Sequence, residues 1–151
     1  MYTEYQPSHL LVPYIDSYWE FKGNPDYGMR IHILPDGCTD FIFTLGEVAN
    51  AVEEGSLIMQ PYRSYFVGPM TKYSELVTYT ESIHMFGVRF LPCGLSCFTN
   101  LPLHEFVNSR VSTNEMKAVF DDTFIEKLGE QKHVTDRIRV VAVSYTHLRA
   151  H

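Results

Sequence analysis

The sequence predicts a mainly β fold with C-terminal helices, an α+β arrangement in which the strands come first. Apolar side chains alternate with a period of two over the first two thirds of the chain, which is typical of strands. After residue 92 the apolar spacing becomes helical. The ten Tyr and ten Phe residues among 151 also suit the pleated surface of a sheet. Many short strands separated by Gly and Pro turns favour a β-sandwich or a β-barrel.

The first well-marked strand covers residues 14–22. Alternation predicts one mostly apolar, inward face and one wetter face. Trp19, the single tryptophan, lies on the apolar face, whereas Tyr18 lies on the wetter face. The members of the apolar face are Ile15, Ser17, Trp19 and Phe21. Residues 23–26 are predicted to form the turn that ends this strand.

Two further strands are predicted at residues 29–34 and 39–45, on either side of the turn residues Pro35-Asp36-Gly37. This pattern predicts that the two strands form a hairpin. The polar stretch 46–56 is predicted to be a loop. Strand signals then follow at residues 57–59, 65–67, 76–80 and 83–90.

Two to four short helices are predicted after the strands. Pro92 can open a helix that ends near residue 98, and residues 112–115 have the spacing of a capping box. Asp122 is predicted to cap a helix over 123–128 that ends at Gly129. A final helix is predicted over 133–141.

The predicted domain organisation is a β-barrel over residues 1–92 and a helical segment of the same domain over 93–142. Residues 143–151 continue no apolar pattern. We therefore expect them to be a non-native or disordered tail, the alternative being a frayed native helix end.

The net charge argues against one class of function, DNA binding, and the cysteine content indicates the cellular compartment. The net charge is −6, and nucleic-acid binding depends on Lys and Arg neutralising phosphates, so the chain alone is not expected to bind DNA well.

Three cysteines are an odd number without a disulfide framework, which favours a reducing compartment. The sequence shows no leader and no apolar run of ~20 residues. We expect a cytoplasmic protein without a membrane partner.

Four segments resemble one group of AraC-type transcriptional regulators. Residues 11–19 (Leu-Val-Pro-Tyr-Ile-Asp-Ser-Tyr-Trp) resemble the opening strand of its sensor domains, and residues 33–43 resemble the turn and strand that follow. Residues 66–69 (Phe-Val-Gly-Pro) are similar to a third landmark. Residues 86–95 (Phe-Gly-Val-Arg-Phe-Leu-Pro-Cys-Gly-Leu) are similar to the passage from the last barrel strand into the helices, which a Pro-Leu segment follows, as at 101–103.

The resemblance extends from about Tyr5 to about Val141 and implies a cupin-like β-barrel followed by linker helices. It also implies a small-molecule effector, a homodimer, and DNA binding only through a C-terminal helix-turn-helix domain that this chain lacks. Two alternatives stay open. One is a stand-alone cupin-like metal-dependent enzyme or small-molecule binding protein, and the other is a dimerisation module whose barrel is packed solid.

The residues do not favour a metal site, a cofactor or catalysis. A cupin metal motif places two His one residue apart on a strand with a Glu nearby, and neither His32 nor His84 has such a partner. Cys93 and Cys97 match no structural zinc spacing. The sequence contains no nucleophile elbow and no Gly-rich phosphate loop. We therefore expect a binding protein rather than an enzyme.

Five residues are candidates for binding a small molecule: Trp19, Arg30, His32, Asp40 and Arg89. Trp19 offers an aromatic face, although filling the core is an equally good role for it. Arg30 and His32 share one side of their predicted strand, and Asp40 lies on the less apolar side of the next. Periodicity does not decide whether these sides face a cavity or solvent.

Arg89 lies in an otherwise apolar strand. A charge there is costly to bury unless it is paired. Asp36 or Asp40 is the predicted partner, and a structural salt bridge is favoured over an anionic ligand.

Overall fold

The computed structural model describes residues 2–23, 30–33, 37–45, 49–51, 58–71, 74–78, 83–99, 102–113 and 120–150. Within these ranges ten strands precede two α-helices. The strands are β1 (Tyr2–Tyr5), β2 (Ile15–Gly23), β3 (Arg30–Ile33), β4 (Thr39–Thr44), β5 (Ala49–Ala51), β6 (Ile58–Met59), β7 (Ser64–Val67), β8 (Ser74–Thr78), β9 (Ile83–Phe90) and β10 (Arg110–Ser112). The helices are α1 (Asp122–Glu130) and α2 (Val134–Ala150).

The strands form two antiparallel sheets. The larger has the order β1-β2-β9-β4-β7-β10, and the smaller has the order β3-β8-β5-β6. The predicted fold class, mainly β with C-terminal helices, is confirmed. No helix in the described part of the chain combines the length and apolar character needed to cross a membrane.

The predicted hairpin is wrong. The strands at 29–34 and 39–45 exist as β3 and β4, but β3 pairs with β8 whereas β4 lies between β9 and β7. The turn residues Pro35-Asp36-Gly37 predict that the chain changes direction, but they do not predict which strands become hydrogen-bonded neighbours. The predicted loop at 46–56 is also wrong in part, because it contains the short strand β5.

A β-bulge in β2 changes which residues share a face. Ile15 lies opposite Phe90 and Ser17 lies opposite Arg89, so one additional residue is inserted between them. Ile15 therefore lies on the same face as Tyr18 and not, as predicted, on that of Trp19. The face of β2 that carries Tyr18 was predicted to be the more solvent-exposed one. This prediction is wrong for Tyr18 itself, which is 1% exposed.

The helices cover one face of the six-stranded sheet, here called the helix-covered face. Phe41 shows the packing, because its ring centroid lies 4.8 Å from that of Phe120 and 5.6 Å from that of Phe124. A separate cluster of buried side chains surrounds Trp19 on the opposite face: Trp19, Ile42, Tyr65, Val67, Met70, Ile83 and Met85. Both faces of the central strands thus carry buried side chains.

The helical predictions are partly confirmed. The segment 92–98 contains a short 3-10 turn at Leu95–Cys97. Ser112, the first residue of the predicted capping box, ends β10, and the helix predicted after it falls at 114–119, outside the described residues. Asp121 rather than Asp122 caps α1, and α1 continues past Gly129 to Gln131 as its C-cap.

Residues 143–150 belong to α2 in the structure. Tyr145 is 2% exposed, and its ring contacts those of Phe90, Phe98 and Phe124 at centroid distances of 5.5, 4.9 and 6.4 Å. These contacts attach α2 to the core at Tyr145. The non-native origin suggested for residues 143–151 stays a prediction.

We expect Asp121→Ala to lower the free energy of unfolding by ~1 kcal/mol. The carboxylate of Asp121 accepts a hydrogen bond of 2.8 Å from the backbone N–H of Phe124, which has no partner within the helix. Urea unfolding measures the change. Asp121→Asn is the matched control, because asparagine caps helices about as well. An equal loss in both variants would show that capping is not the cause.

Alkaline pH is expected to destabilise the fold. Burial raises the pKa of Tyr18 from 10.0 to about 12 and raises that of Tyr145 well above 10.0. Below pH 10 both tyrosines are protonated in the folded and unfolded states. Above pH 10 the unfolded chain loses these protons first, so stability falls as the pH rises toward the folded-state pKa.

The slope for Tyr18 is about 1.4 kcal/mol per pH unit. Urea midpoints measured between pH 9 and 12 on the wild type and on Tyr18→Phe test this. The variant should show the shallower loss, because it releases one proton fewer on unfolding at these pH values. Equal slopes would contradict the assignment.

Candidate ligand-binding site

Three of the five predicted ligand-binding residues meet on one face of the larger sheet. Trp19 on β2, Arg89 on β9 and Asp40 on β4 come from three strands that are adjacent in the order β2-β9-β4. The indole Nε1 of Trp19 donates a 3.1 Å hydrogen bond to Asp40 Oδ1. Arg89 Nε lies 3.5 Å from the same oxygen. The Asp40 carboxylate is therefore the centre of the cluster, and its predicted pairing with Arg89 is confirmed.

Gly87 makes room for the tryptophan. It lies opposite Trp19 in the β2–β9 register, and a Cβ atom added to it would lie 1.9 Å from Cε2 of the indole. The ring thus packs on bare backbone, which no other residue type allows. Sequence reasoning assigned Gly87 no role, although an isolated glycine inside an apolar strand is a signal of close approach.

Strand β1 supplies two contacts that the sequence analysis missed. The ring of Tyr2 lies 6.0 Å from that of Trp19, centroid to centroid, with a tilt of 32°. The Tyr2 hydroxyl donates to Glu4 Oε1 at 2.8 Å and accepts from Arg89 Nη2 at 3.2 Å. Arg89 Nη1 lies 3.4 Å from the same Glu4 oxygen. No local pattern connects residues 2–4 to residue 89, so only strand pairing reveals these contacts.

The cluster carries one guanidinium and two carboxylates. The exposed fraction of the side chain is 16% for Asp40, 24% for Arg89 and 45% for Glu4, so the charges lie at the edge of solvent. Burial, followed by the hydrogen bond to Glu4, raises the pKa of Tyr2 to about 12. Because Arg89 already faces two carboxylates, the cluster is poorly suited to capturing an anion with Arg89 alone.

Arg30 and His32 belong to β3 in the smaller sheet. The structure describes the backbone of β3 but not these two side chains, so their role in ligand binding stays a prediction.

Other polar groups in the described ranges form no metal centre. The described residues contain no group of three or more His, Cys, Asp or Glu side chains arranged to hold a metal ion. His84 Nε2 lies 2.9 Å from Glu20 Oε2, a hydrogen-bonded pair between β9 and β2. Cys93 and Cys97 are exposed free cysteines.

A small cavity of about 80 Å³ lies away from the tryptophan cluster. This volume is well below the several hundred Å³ of a typical small-molecule site. Its lining comes from the region of β7, β10 and the start of α1: Tyr62, Arg63, Ser64, Ser112, Thr113, Phe120, Asp122 and Ile125.

Residues 3–112 match the family model described as a domain of unknown function, DUF6597. The chain belongs to the DUF6597 family. The matched region of this DUF6597 chain contains Trp19, Asp40, Gly87 and Arg89, and ends at the last residue of β10. No curated protein matches the sequence.

The structure is similar to that of a Cupin_2 domain from an XRE family transcriptional regulator of Enterobacter cloacae. The TM-score is 0.49 and the sequence identity is 10%, over 61% of this chain and 96% of that chain.

Proposed function

We propose that this chain is the small-molecule-sensing and dimerisation domain of an AraC-type transcriptional regulator, with DNA binding supplied by a domain outside this chain. The cluster of Trp19, Asp40 and Arg89 carries the proposal. Each of these residues comes from a different one of the segments that resemble AraC-type sensors, namely 11–19, 33–43 and 86–95. The three segments are far apart in sequence, yet the folded chain brings Trp19 and Arg89 into contact with Asp40.

In this proposal the effector binds beside the Trp19 ring, and the Asp40 carboxylate and Arg89 guanidinium orient its polar groups. Binding shifts the population of two arrangements of the domain, because the effector has a higher affinity for one of them. The chain works as a cytoplasmic homodimer, catalyses no reaction and needs no cofactor. Helix α2 follows the sheet in sequence and is the segment that would pass the change to the DNA-binding domain.

The proposal is tested with purified protein and a panel of sugars, aromatic acids and amines. We expect a dimer at micromolar concentration. We also expect one compound class to raise the melting temperature, since a ligand at 100 times its Kd adds about 2.7 kcal/mol to the stability. Trp19 is the single tryptophan, so its fluorescence reports directly on the site.

Arg89→Ala separates binding from structure. A variant that folds but no longer responds to the compound supports a binding role, whereas an unfolded variant shows that Arg89 is structural. Arg139→Ala is the matched control, because Arg139 is 75% exposed and contacts Asp136 within the same helix. A strictly monomeric protein that contains stoichiometric Fe, Mn or Zn would instead favour a stand-alone cupin-like enzyme.

A further inference from the structure

The two edges of the larger sheet differ in exposure. Strand β1 forms one edge and β10 forms the other. All three residues of β10 are half-buried, whereas the first three residues of β1 are exposed. Within the described ranges β1 pairs with β2 alone. The open edge of the larger sheet is therefore β1.

An open edge strand offers hydrogen bonds to a further strand. In an antiparallel pair, every second residue directs its N–H and C=O groups away from the neighbouring strand. Proteins commonly protect such an edge with proline, lysine or a bulge, because an unprotected edge pairs with other chains. The β1 sequence Tyr-Thr-Glu-Tyr contains no proline and no lysine, and its register with β2 is regular over all four residues. The backbone of β1 is thus suited to pairing with another strand.

The charge on β1 is already compensated within the chain. Glu4 is its one charged side chain, and Glu4 Oε1 lies 3.4 Å from Arg89 Nη1. The same oxygen accepts a 2.8 Å hydrogen bond from the Tyr2 hydroxyl. A strand that approaches β1 therefore meets a paired carboxylate and an aromatic ring rather than an uncompensated charge.

The residues of β1 are complementary to those of a second copy. Two copies related by a two-fold axis normal to the sheet pair antiparallel, and each residue lies opposite one on the same face. With Thr3 on the axis, Thr3 lies opposite its own copy and Tyr2 lies opposite the partner's Glu4. Cross-strand threonine pairs stabilise a sheet.

The other registers are less favourable. With Glu4 on the axis, two carboxylates would lie directly opposite each other, which destabilises the pair. With Tyr2 or Tyr5 on the axis, fewer residues of β1 would find a partner. The register centred on Thr3 therefore pairs most of the strand without opposing like charges.

We propose that β1 is the dimerisation edge of this chain, and that it pairs antiparallel with β1 of a second copy about a two-fold axis at Thr3. The two larger sheets then form one continuous sheet. The ring of Tyr2 also contacts that of Trp19, so the interface and the candidate ligand-binding site share a strand. This inference rests on the homodimer of the proposed function and names the surface that forms it.

Cysteine cross-linking tests the register. In a background with Cys38→Ser, Cys93→Ser and Cys97→Ser, we expect Thr3→Cys to give a covalent dimer on mild oxidation with diamide. Opposite residues in an antiparallel pair have Cα atoms about 4.5–5.5 Å apart, which a disulfide spans. Val143→Cys is the control, because Val143 is 65% exposed but lies on α2, and it should stay monomeric on a non-reducing gel.

Thr3→Lys tests the same axis without a cross-link. Within its own chain residue 3 lies opposite Glu20 of β2, so a lysine there should leave the fold intact. In the dimer two ammonium groups would face each other across the axis. We expect the dissociation constant measured by analytical ultracentrifugation to rise about fivefold. Thr3→Val is the matched control, and its constant should change less than about twofold because valine also favours strands.

A covalent dimer through Val143→Cys and none through Thr3→Cys would place the interface on α2 and overturn the proposal. Equal dissociation constants for Thr3→Lys and Thr3→Val would also overturn it, while leaving the proposed homodimer intact. A wild-type chain that stays monomeric at micromolar concentration would instead contradict both the interface and the homodimer.

Discussion

Phe41→Ala is expected to lower the free energy of unfolding by about 3–5 kcal/mol. Phe41 is 0% exposed on β4, a central strand that is paired on both sides. Its ring contacts Phe120 and Phe124, so the substitution removes packing between the sheet and the start of α1. The loss combines the transfer free energy of the ring with the cost of the cavity that it leaves.

Urea unfolding followed by Trp19 fluorescence measures this loss. Leu10→Ala is the control for deleting an apolar side chain, because Leu10 is 58% exposed and its removal should change stability by less than ~0.5 kcal/mol. If Phe41→Ala cost no more than Leu10→Ala, α1 would not be packed on β4 as the structure describes.

Gly87→Ala is expected to cost about 1–3 kcal/mol and to separate Trp19 from Asp40. The added methyl group would lie within 2.3 Å of three indole atoms, including Nε1, which donates the hydrogen bond to Asp40. The indole must move, and its movement removes the donor from the carboxylate. We therefore expect a red shift in tryptophan fluorescence together with the lower stability, since the displaced ring meets more water.

Gly129→Ala is the matched control for the same chemical change. Gly129 lies inside α1, and a Cβ atom there would meet Phe43 Cζ at 3.6 Å, an ordinary contact. Alanine has the higher helix propensity, so this variant should gain about 0.5–1 kcal/mol and leave the fluorescence unchanged. The same sign of effect in both variants would argue against close packing of Trp19 on Gly87.

The candidate site was partly predictable. Arg89 was recognisable because a charge inside an apolar strand needs a partner, and Asp40 was one of two carboxylates named for it. Tyr2 and Glu4 were not recognisable, because their contacts with Arg89 connect residues more than 80 positions apart. Gly87 is an isolated glycine inside an apolar strand, which indicates that something packs closely on it. The sequence does not show that this neighbour is Trp19, because Trp19 lies opposite Gly87 only through the pairing of β2 with β9.

The sequence by itself determined the kind and position of most elements in the described part of the chain. Alternation located β2, β4 and β9 to within one or two residues, because side-chain direction follows directly from the backbone period. It placed the change from strands to helices after residue 92, which is too early, because β10 (Arg110–Ser112) still joins the larger sheet and α1 begins only at Asp122.

Only the tertiary structure decided how the strands pair and which faces are buried. Pairing depends on contacts between segments distant in the chain, so the turn at 35–37 predicted a hairpin that the two sheets do not form. The bulge near Asp16 moved Ile15 to the helix-covered face, and the helices buried Tyr18, because burial depends on what packs on a strand as well as on its own pattern. The same long-range packing brought Trp19, Asp40 and Arg89 together.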